Sequence, residues 1–177
     1  MTHELLVAGF GGQGVLAIGK LLAEAAVAQD LNASWLPSYG AEVRGGTASC
    51  SCVMTEGEVL SPVVTAPGEL ILMNQLSFDR YLPSAQRGAL VLVNSSIVST
   101  PVEGELRGVY VPCNDLAEKL GTVRAANMVM AGAYAQATGY LRADVLRTLV
   151  EEMFAQKSRD LVRLNLDALE AGAACVR

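Results

Sequence analysis

The run Gly9-Phe10-Gly11-Gly12-Gln13-Gly14 limits the fold of this chain more than any other stretch. It follows a short apolar segment, Leu5-Leu6-Val7-Ala8, and precedes a helix-like segment that starts at Val15. A strand, a glycine turn and a helix in that order open an α/β sheet domain, and phosphate and dinucleotide loops use the same context. Glycines let backbone N–H groups approach an anion, and a helix N-terminus adds a favourable dipole. A second glycine-flanked stretch, Tyr39-Gly40-Ala41-Glu42-Val43-Arg44-Gly45-Gly46, follows the next strand-like segment and carries polar tips.

Gly9, Gly11 and Gly14 supply a Gly-x-Gly-x-x-Gly spacing, which is a weak signal taken alone. A nicotinamide site requires an acidic residue at the end of the second strand to hold the ribose hydroxyls. That position falls near Leu36-Pro37-Ser38, where there is no acid, and no arginine stands there for a 2′-phosphate. No Lys-Ser/Thr follows Gly14, which excludes a Walker loop. The glycines therefore serve either close backbone packing or approach to a ligand or partner. Gln13, a polar side chain at a helix entrance, is suited to bond an amide, a phosphate or a neighbouring chain. In the second stretch, Glu42 and Arg44 either pair with each other or leave Arg44 free to reach a carboxylate, a phosphate or a partner subunit.

Along the rest of the chain, strand and helix patterns alternate. Leu5–Ala8 reads as a central buried strand. Val15 to about Ala28 reads as a helix whose Ala17, Gly19, Ala23 and Ala26 allow close packing on the sheet. Asn32–Leu36 is a second strand, ended by Pro37 and Ser38. Gly46 to Met54 is strand-like, and the Glu56-Gly57 turn predicts that Val59-Leu60 returns antiparallel to it. Strands at Glu69–Met73, Ala89–Asn94 and Val109–Val111 follow, with a helix near Gln75–Leu82. Asn114 is expected to cap a helix through Leu120, with Gly121 as its stop. Three helices are expected at the end: Arg124–Thr138, Arg142–Gln156 and Ser158–Ala174. In the second of these, Val145, Leu146, Leu149, Val150, Met153 and Phe154 form one apolar stripe. The expected architecture is a single α/β domain over residues 1–177, three α/β/α layers around a mixed, mostly parallel central sheet, with a Rossmann-like start.

The bulk properties narrow the function. A net charge of −5 with no block of like charges argues against nucleic acid as a partner. The longest uncharged stretch, Ala125–Leu141, contains Asn127, Gln136, Thr138, Gly132 and Gly139 and is shorter than the roughly 20 apolar residues of a membrane span. A buried core helix fits it better. The N-terminal Met1-Thr2-His3-Glu4 lacks the basic and apolar regions of a signal peptide. Cys50, Cys52, Cys113 and Cys175 form no Cys-x-x-Cys, and His3 is the sole histidine, so metal, iron–sulfur and Cys–His or Ser–His chemistry are not expected on this chain. Buried structural thiols and a cytoplasmic, reducing location are the expectation. A hydrophobic fraction of 51% with only 5% aromatics suits a subunit that buries much of its surface against partners.

Joined together, the motifs are far more specific than the glycine turn. Gly9-Phe-Gly-Gly-Gln-Gly-Val15 is followed in order by Trp35-Leu-Pro-Ser-Tyr39-Gly-Ala-Glu42-Val-Arg44-Gly-Gly46-Thr-Ala-Ser-Cys50 and Ser61-Pro62. Asn74-Gln75-Leu76-Ser77, Val93-Asn94-Ser95-Ser96, Leu116–Gly121 and Arg124-Ala-Ala-Asn127 through Ala133 come after. This series resembles the gamma subunit of 2-oxoacid:ferredoxin oxidoreductases, most of all the separate gamma chain of the 2-oxoglutarate and branched-chain types. It departs at Val43, Ala131 and Glu69, none of which touches the polar groups of the motif.

The resemblance implies a non-autonomous subunit of an enzyme that converts a 2-oxoacid, CoA and oxidised ferredoxin to acyl-CoA, CO2 and reduced ferredoxin. It implies thiamine diphosphate, Mg2+ and iron–sulfur clusters on the alpha, beta and delta subunits, and no such cofactor on this chain alone. The partners it implies are those subunits, ferredoxin through the complex, and a second copy when the chain is isolated. It turns Gly9, Gly11, Gly12, Gln13, Gly14, Tyr39, Glu42, Arg44, Gly45, Gly46 and Asn127 toward CoA, the shared active site or a subunit boundary. An independent Rossmann-like nucleotide-binding module is the other reading.

Overall fold

The structure is a computed structural model that describes residues 1–39 and 46–176, with Tyr39 as backbone only. Its centre is a six-stranded sheet of strands β1 (Thr2–Phe10), β2 (Asn32–Tyr39), β3 (Thr47–Thr55), β4 (Glu69–Leu72), β5 (Leu90–Asn94) and β6 (Arg107–Val111). The spatial order is β2-β3-β1-β4-β5-β6. β1, β4, β5 and β6 run parallel, and β3 runs antiparallel to both of its neighbours, β1 and β2. The mixed, mostly parallel sheet is as expected, but its antiparallel element is not. β3 pairs with β2 and β1 rather than with Val59-Leu60, which lie outside any strand.

β1 sits between β3 and β4 and is apolar toward both faces, with Leu5, Val7 and Ala8 fully buried and Leu6 nearly so. Leu5 and Val7 face one side together with Cys50, Cys52, Met54, Ile71 and Leu92. Leu6 and Ala8 face the other with Leu70, Leu72, Val91 and Val93. β2 runs on through Pro37 and Ser38 to Tyr39. It is the edge of the sheet, where a residue without an N–H costs the ladder little, so Pro37 does not end it.

Helices α1 (Val15–Val27), α3 (Cys113–Lys119), α4 (Ala126–Thr138), α5 (Ala143–Phe154) and α6 (Arg159–Ala174) all pack into the core on the first face. The second face carries the short helix α2 (Gln75–Tyr81), a 3-10 turn at Leu82–Ser84 and irregular chain, so the third layer is thin. On α5, Leu146 and Val150 are buried and Val145, Leu149 and Phe154 partly so, while Met153 is exposed. α4 is buried all round, from Met128 to Ala135. Its backbone meets that of α6 at two glycines: a Cβ on Gly132 would strike the carbonyl of Leu169, and one on Gly172 would strike the carbonyl of Val129.

At the end of the sheet where the parallel strands begin, Glu69 joins three elements. Its carboxylate accepts from Tyr134 on α4 and faces Nδ1 of His3 at 2.5 Å, and the His3 ring stacks on Tyr140 with centroids 3.8 Å apart. Burial first, and the Glu69 carboxylate second, push the Tyr134 hydroxyl well above its ordinary pKa, so it stays a donor. His3 thus ties strand to helix far from the glycine turn.

An exposed mid-helix glycine exchanged for alanine normally gains up to about 1 kcal/mol. At the α4–α6 crossing the sign should reverse. Gly132→Ala is expected to lose about 1–3 kcal/mol by overpacking, read as a lower urea midpoint at unchanged slope. A variant as stable as the parent would mean that the two helices do not meet at this distance.

Candidate functional site

The glycine turn lies where β1 ends, and β2, β4, β5 and β6 end on the same side of the sheet because they run parallel to β1. Helix α1 leaves this end toward one face of the sheet and α2 toward the other, so the boundary between β1 and β4 is the switch point where α/β sheets open a crevice. A small hollow of about 150 Å³ opens there, lined by Gly12, Gln13, Met73, Asn114, Val123, Arg124 and Ala126.

The turn is held from inside by Gln13. Its Oε1 accepts from the Phe10 N–H at 2.7 Å and from Asn74 Nδ2 at 2.9 Å, and its Nε2 donates to the Met73 carbonyl at 3.1 Å. Gly9 leaves the room: a Cβ there would lie 2.7 Å from Gln13 Oε1 and 2.9 Å from Met73 Cβ. Gly14 enters α1 with φ of +73° and backs directly on the Asn127 side chain. Gly12, with φ of +96°, has no described residue within 4 Å of its Cβ position, and Gly11 and Gly12 are exposed.

Gln13 therefore bonds amides of its own chain. The Gly11 N–H, which a phosphate would need, already donates to the Gly46 carbonyl at 3.2 Å. The strand that Gly46 introduces, β3, occupies the place beside β1 where a dinucleotide-binding sheet has its second parallel strand. This explains why the end of β2 carries no ribose-binding acid: β2 is one strand too far away.

Gly9, Gly11, Gly12, Gln13, Gly14, Gly46 and Asn127 are thus gathered at one end of the sheet. Glu42, Arg44 and Gly45 lie outside the described residues, and the backbone of Tyr39 ends the edge strand β2 at that same end. Further members stand in the motif series or were expected as a helix cap, but the sequence did not assign them to the site. Asn74 caps α2 by accepting from the Ser77 N–H at 2.8 Å. Asn94, fully buried, donates to the Met73 carbonyl at 3.3 Å and to Asn114 Oδ1 at 3.0 Å. Asn114 is not the cap of α3, which starts after Pro112; Ser96 Oγ instead accepts from the N–H groups of Asn114 and Asp115. The available signal was an asparagine or glutamine at or just past the ends of β1, β4, β5 and β6. Arg124 adds one cation to the hollow.

The cysteines are placed for packing. Cys50 and Cys52 point from β3 into α1, and their thiols donate to the carbonyls of Val15 and Gly19 at 3.7 and 3.4 Å. The Cys50 thiol beside it, together with burial, pushes the Cys52 thiol far above the usual range, and burial does the same to Cys113. Cys175 is the exposed exception. Among the described residues no three His, Cys, Asp or Glu side chains cluster as metal ligands. No helix of the described residues is long and apolar enough to cross a membrane.

Because no described residue crowds Gly12, its backbone angle is what resists substitution. Gly12→Val is expected to lose about 1–2 kcal/mol and Gly12→Asn distinctly less, measured by chemical denaturation. Equal stability of the valine variant and the parent would show that the turn relaxes freely.

Comparison with known proteins agrees with this geometry. Residues 4–175 match the family model described as pyruvate ferredoxin/flavodoxin oxidoreductase. Ketoisovalerate oxidoreductase subunit VorA of Methanothermobacter thermautotrophicus is 41% identical over 97% of this chain, but the chain spans only 36% of that protein's length. 2-Oxoglutarate synthase subunit KorC of the same organism is 32% identical, covering 97% of this chain and 94% of its own. Among solved structures, the gamma subunit of a keto/oxoacid ferredoxin oxidoreductase from Geobacter sulfurreducens superposes with a TM-score of 0.83 at 25% identity, covering 98% of this chain and 97% of its own. The 2-oxoglutarate:ferredoxin oxidoreductase of Magnetococcus marinus, solved with 2-oxoglutarate, coenzyme A and succinyl-CoA, has the same fold, with a TM-score of 0.91 at 20% identity over 98% of this chain and 31% of its own. The family model matches nearly the whole length and a full-length relative is 32% identical: the chain belongs to the pyruvate ferredoxin/flavodoxin oxidoreductase family.

Proposed function

We propose that this chain is the gamma-type subunit of a 2-oxoacid:ferredoxin oxidoreductase, in which a 2-oxoacid, CoA and oxidised ferredoxin give acyl-CoA, CO2 and reduced ferredoxin. Thiamine diphosphate with Mg2+ and the iron–sulfur clusters belong to the alpha, beta and delta partners. This chain packs on them and helps hold CoA, in the cytoplasm, as a single domain. The names of its relatives, ketoisovalerate oxidoreductase and 2-oxoglutarate synthase, favour a branched-chain 2-oxoacid or 2-oxoglutarate as substrate.

The observation that carries this reading is the end of the sheet that holds the glycine turn. Phe10, Leu76, Ile97 and Val123, which follow the ends of β1, β4 and β5 or line the hollow, are all exposed large apolar side chains. Gly11 and Gly12 present bare backbone among them. Exposed apolar groups gathered around a side-chain-free edge suit close contact with another protein surface better than they suit solvent. In this reading the chain's own residues bind and position, and the chemistry is carried by the partner subunits.

Two experiments test the proposal. Affinity-tagged chain expressed with its genomic neighbours should co-purify with thiamine- and cluster-bearing subunits. A chain that runs alone and binds NAD or ATP tightly would sink the reading in favour of a nucleotide module. In the assembled enzyme, Arg44→Ala should raise the KM for CoA about tenfold, the loss of one charge-assisted contact to a phosphate. An unchanged KM would remove Arg44 from the CoA site.

A further inference from the structure

The amide side chains at the strand ends form a connected relay. Asn114 Oδ1 accepts from Asn94 Nδ2, Asn94 Nδ2 also reaches the Met73 carbonyl, and that carbonyl accepts from Gln13 Nε2 as well. Gln13 Oε1 in turn accepts from Asn74 Nδ2 and from the Phe10 N–H. Met73 is tied to β1 through its own N–H, which donates to the Ala8 carbonyl at 2.9 Å. The relay crosses from the end of β6 through β5 and β4 to the glycine turn after β1.

A turn with two glycines at positive φ has little stiffness of its own, because glycine moves freely among backbone states. Among the described residues the backbone gives it two bonds, Gly11 N–H to Gly46 and Gln13 N–H to Phe10. The side-chain hydrogen bonds that hold it among those residues come through Gln13. We propose that Asn74, through Gln13, is a positioning residue: it sets the height and tilt of the exposed Gly11–Gly12 edge, so that the edge meets the partner subunit without an ordering cost at assembly. The inference rests on the reading above that this edge is a subunit boundary. Preorganised surfaces bind more tightly because less freedom is lost on contact.

Asn74 allows a selective test because its two side-chain atoms have separate duties. Its Oδ1 caps α2, and its Nδ2 holds Gln13. Asn74→Asp retains the cap, since aspartate is as good a cap as asparagine, but sets an oxygen against Gln13 Oε1. Asn74→Ser also caps and lacks the donor, which guards against a fold defect peculiar to one variant. In the isolated chain, both variants should keep the amides of α2 protected while the Gly11 and Gln13 amides exchange with solvent about tenfold faster. In titrations of purified partner subunits, both should need about tenfold more chain for half-maximal assembly. Unchanged exchange at Gly11 and Gln13 would overturn the relay as a brace. Faster exchange with an unchanged assembly midpoint would overturn its positioning role. A parent chain that does not assemble at all would instead sink the subunit-boundary reading, while the exchange data still score the brace by themselves.

Discussion

The arrangement depends on how closely α1 lies over β3. A Cβ on Gly19 would fall 2.9 Å from the sulfur of Cys52 and nearer still to that of Cys50. The helix can settle there because Gly19 has no side chain and because the two thiols are small and apolar enough to pack as core residues. With α1 drawn over β3, the antiparallel strand is fixed beside β1, and Gly46 is brought to the glycine turn. The pair of cysteines that invites a metal reading is thereby explained by packing, and the same contact decides which strand neighbours β1.

The layered α/β fold was legible because each parallel strand is a short apolar run bounded by turn residues, and because α1, α4 and α6 start or stop at recognisable signals. Gly121, at φ of +110°, and Gly139, at +63°, end α3 and α4 as such glycines should. What could not be read was partnering at a distance. The Glu56-Gly57 turn looks like a hairpin, yet the chain leaves it as an irregular strap held to the sheet by the Val64 N–H on Ser51. Pro37 looks like a strand end, and only the sheet order shows that it lies on an edge. Asn114 has the residue type of a helix cap, but it lies inside α3 and its Oδ1 is engaged by Asn94 at the end of β5.

The site was half legible for a similar reason. The glycines and Gln13 stand out locally, and the structure gathers them with Gly46 and Asn127. Their meaning depends on Asn74 and Asn94, which are distant in sequence and ordinary in composition. A glutamine among glycines suggests an outward-facing ligand contact. It turns inward because the Phe10 N–H, the Met73 carbonyl and Asn74 Nδ2, at the ends of β1 and β4, lie within its reach. The turn keeps the form of a phosphate loop while its hydrogen-bonding capacity is directed into the protein.

The crossing of α4 and α6 has a consequence for how this subunit can change over time. Gly132 and Gly172 each press on the other helix's backbone, so they are two halves of a single contact. Enlarging either one forces the helices apart, after which the second substitution meets space that has already opened. The two changes should therefore be strongly non-additive, with the first bearing nearly the whole loss. Drift at this crossing is gated by its opening step: neither glycine has a neutral first move, and once one is replaced the other is held far less firmly.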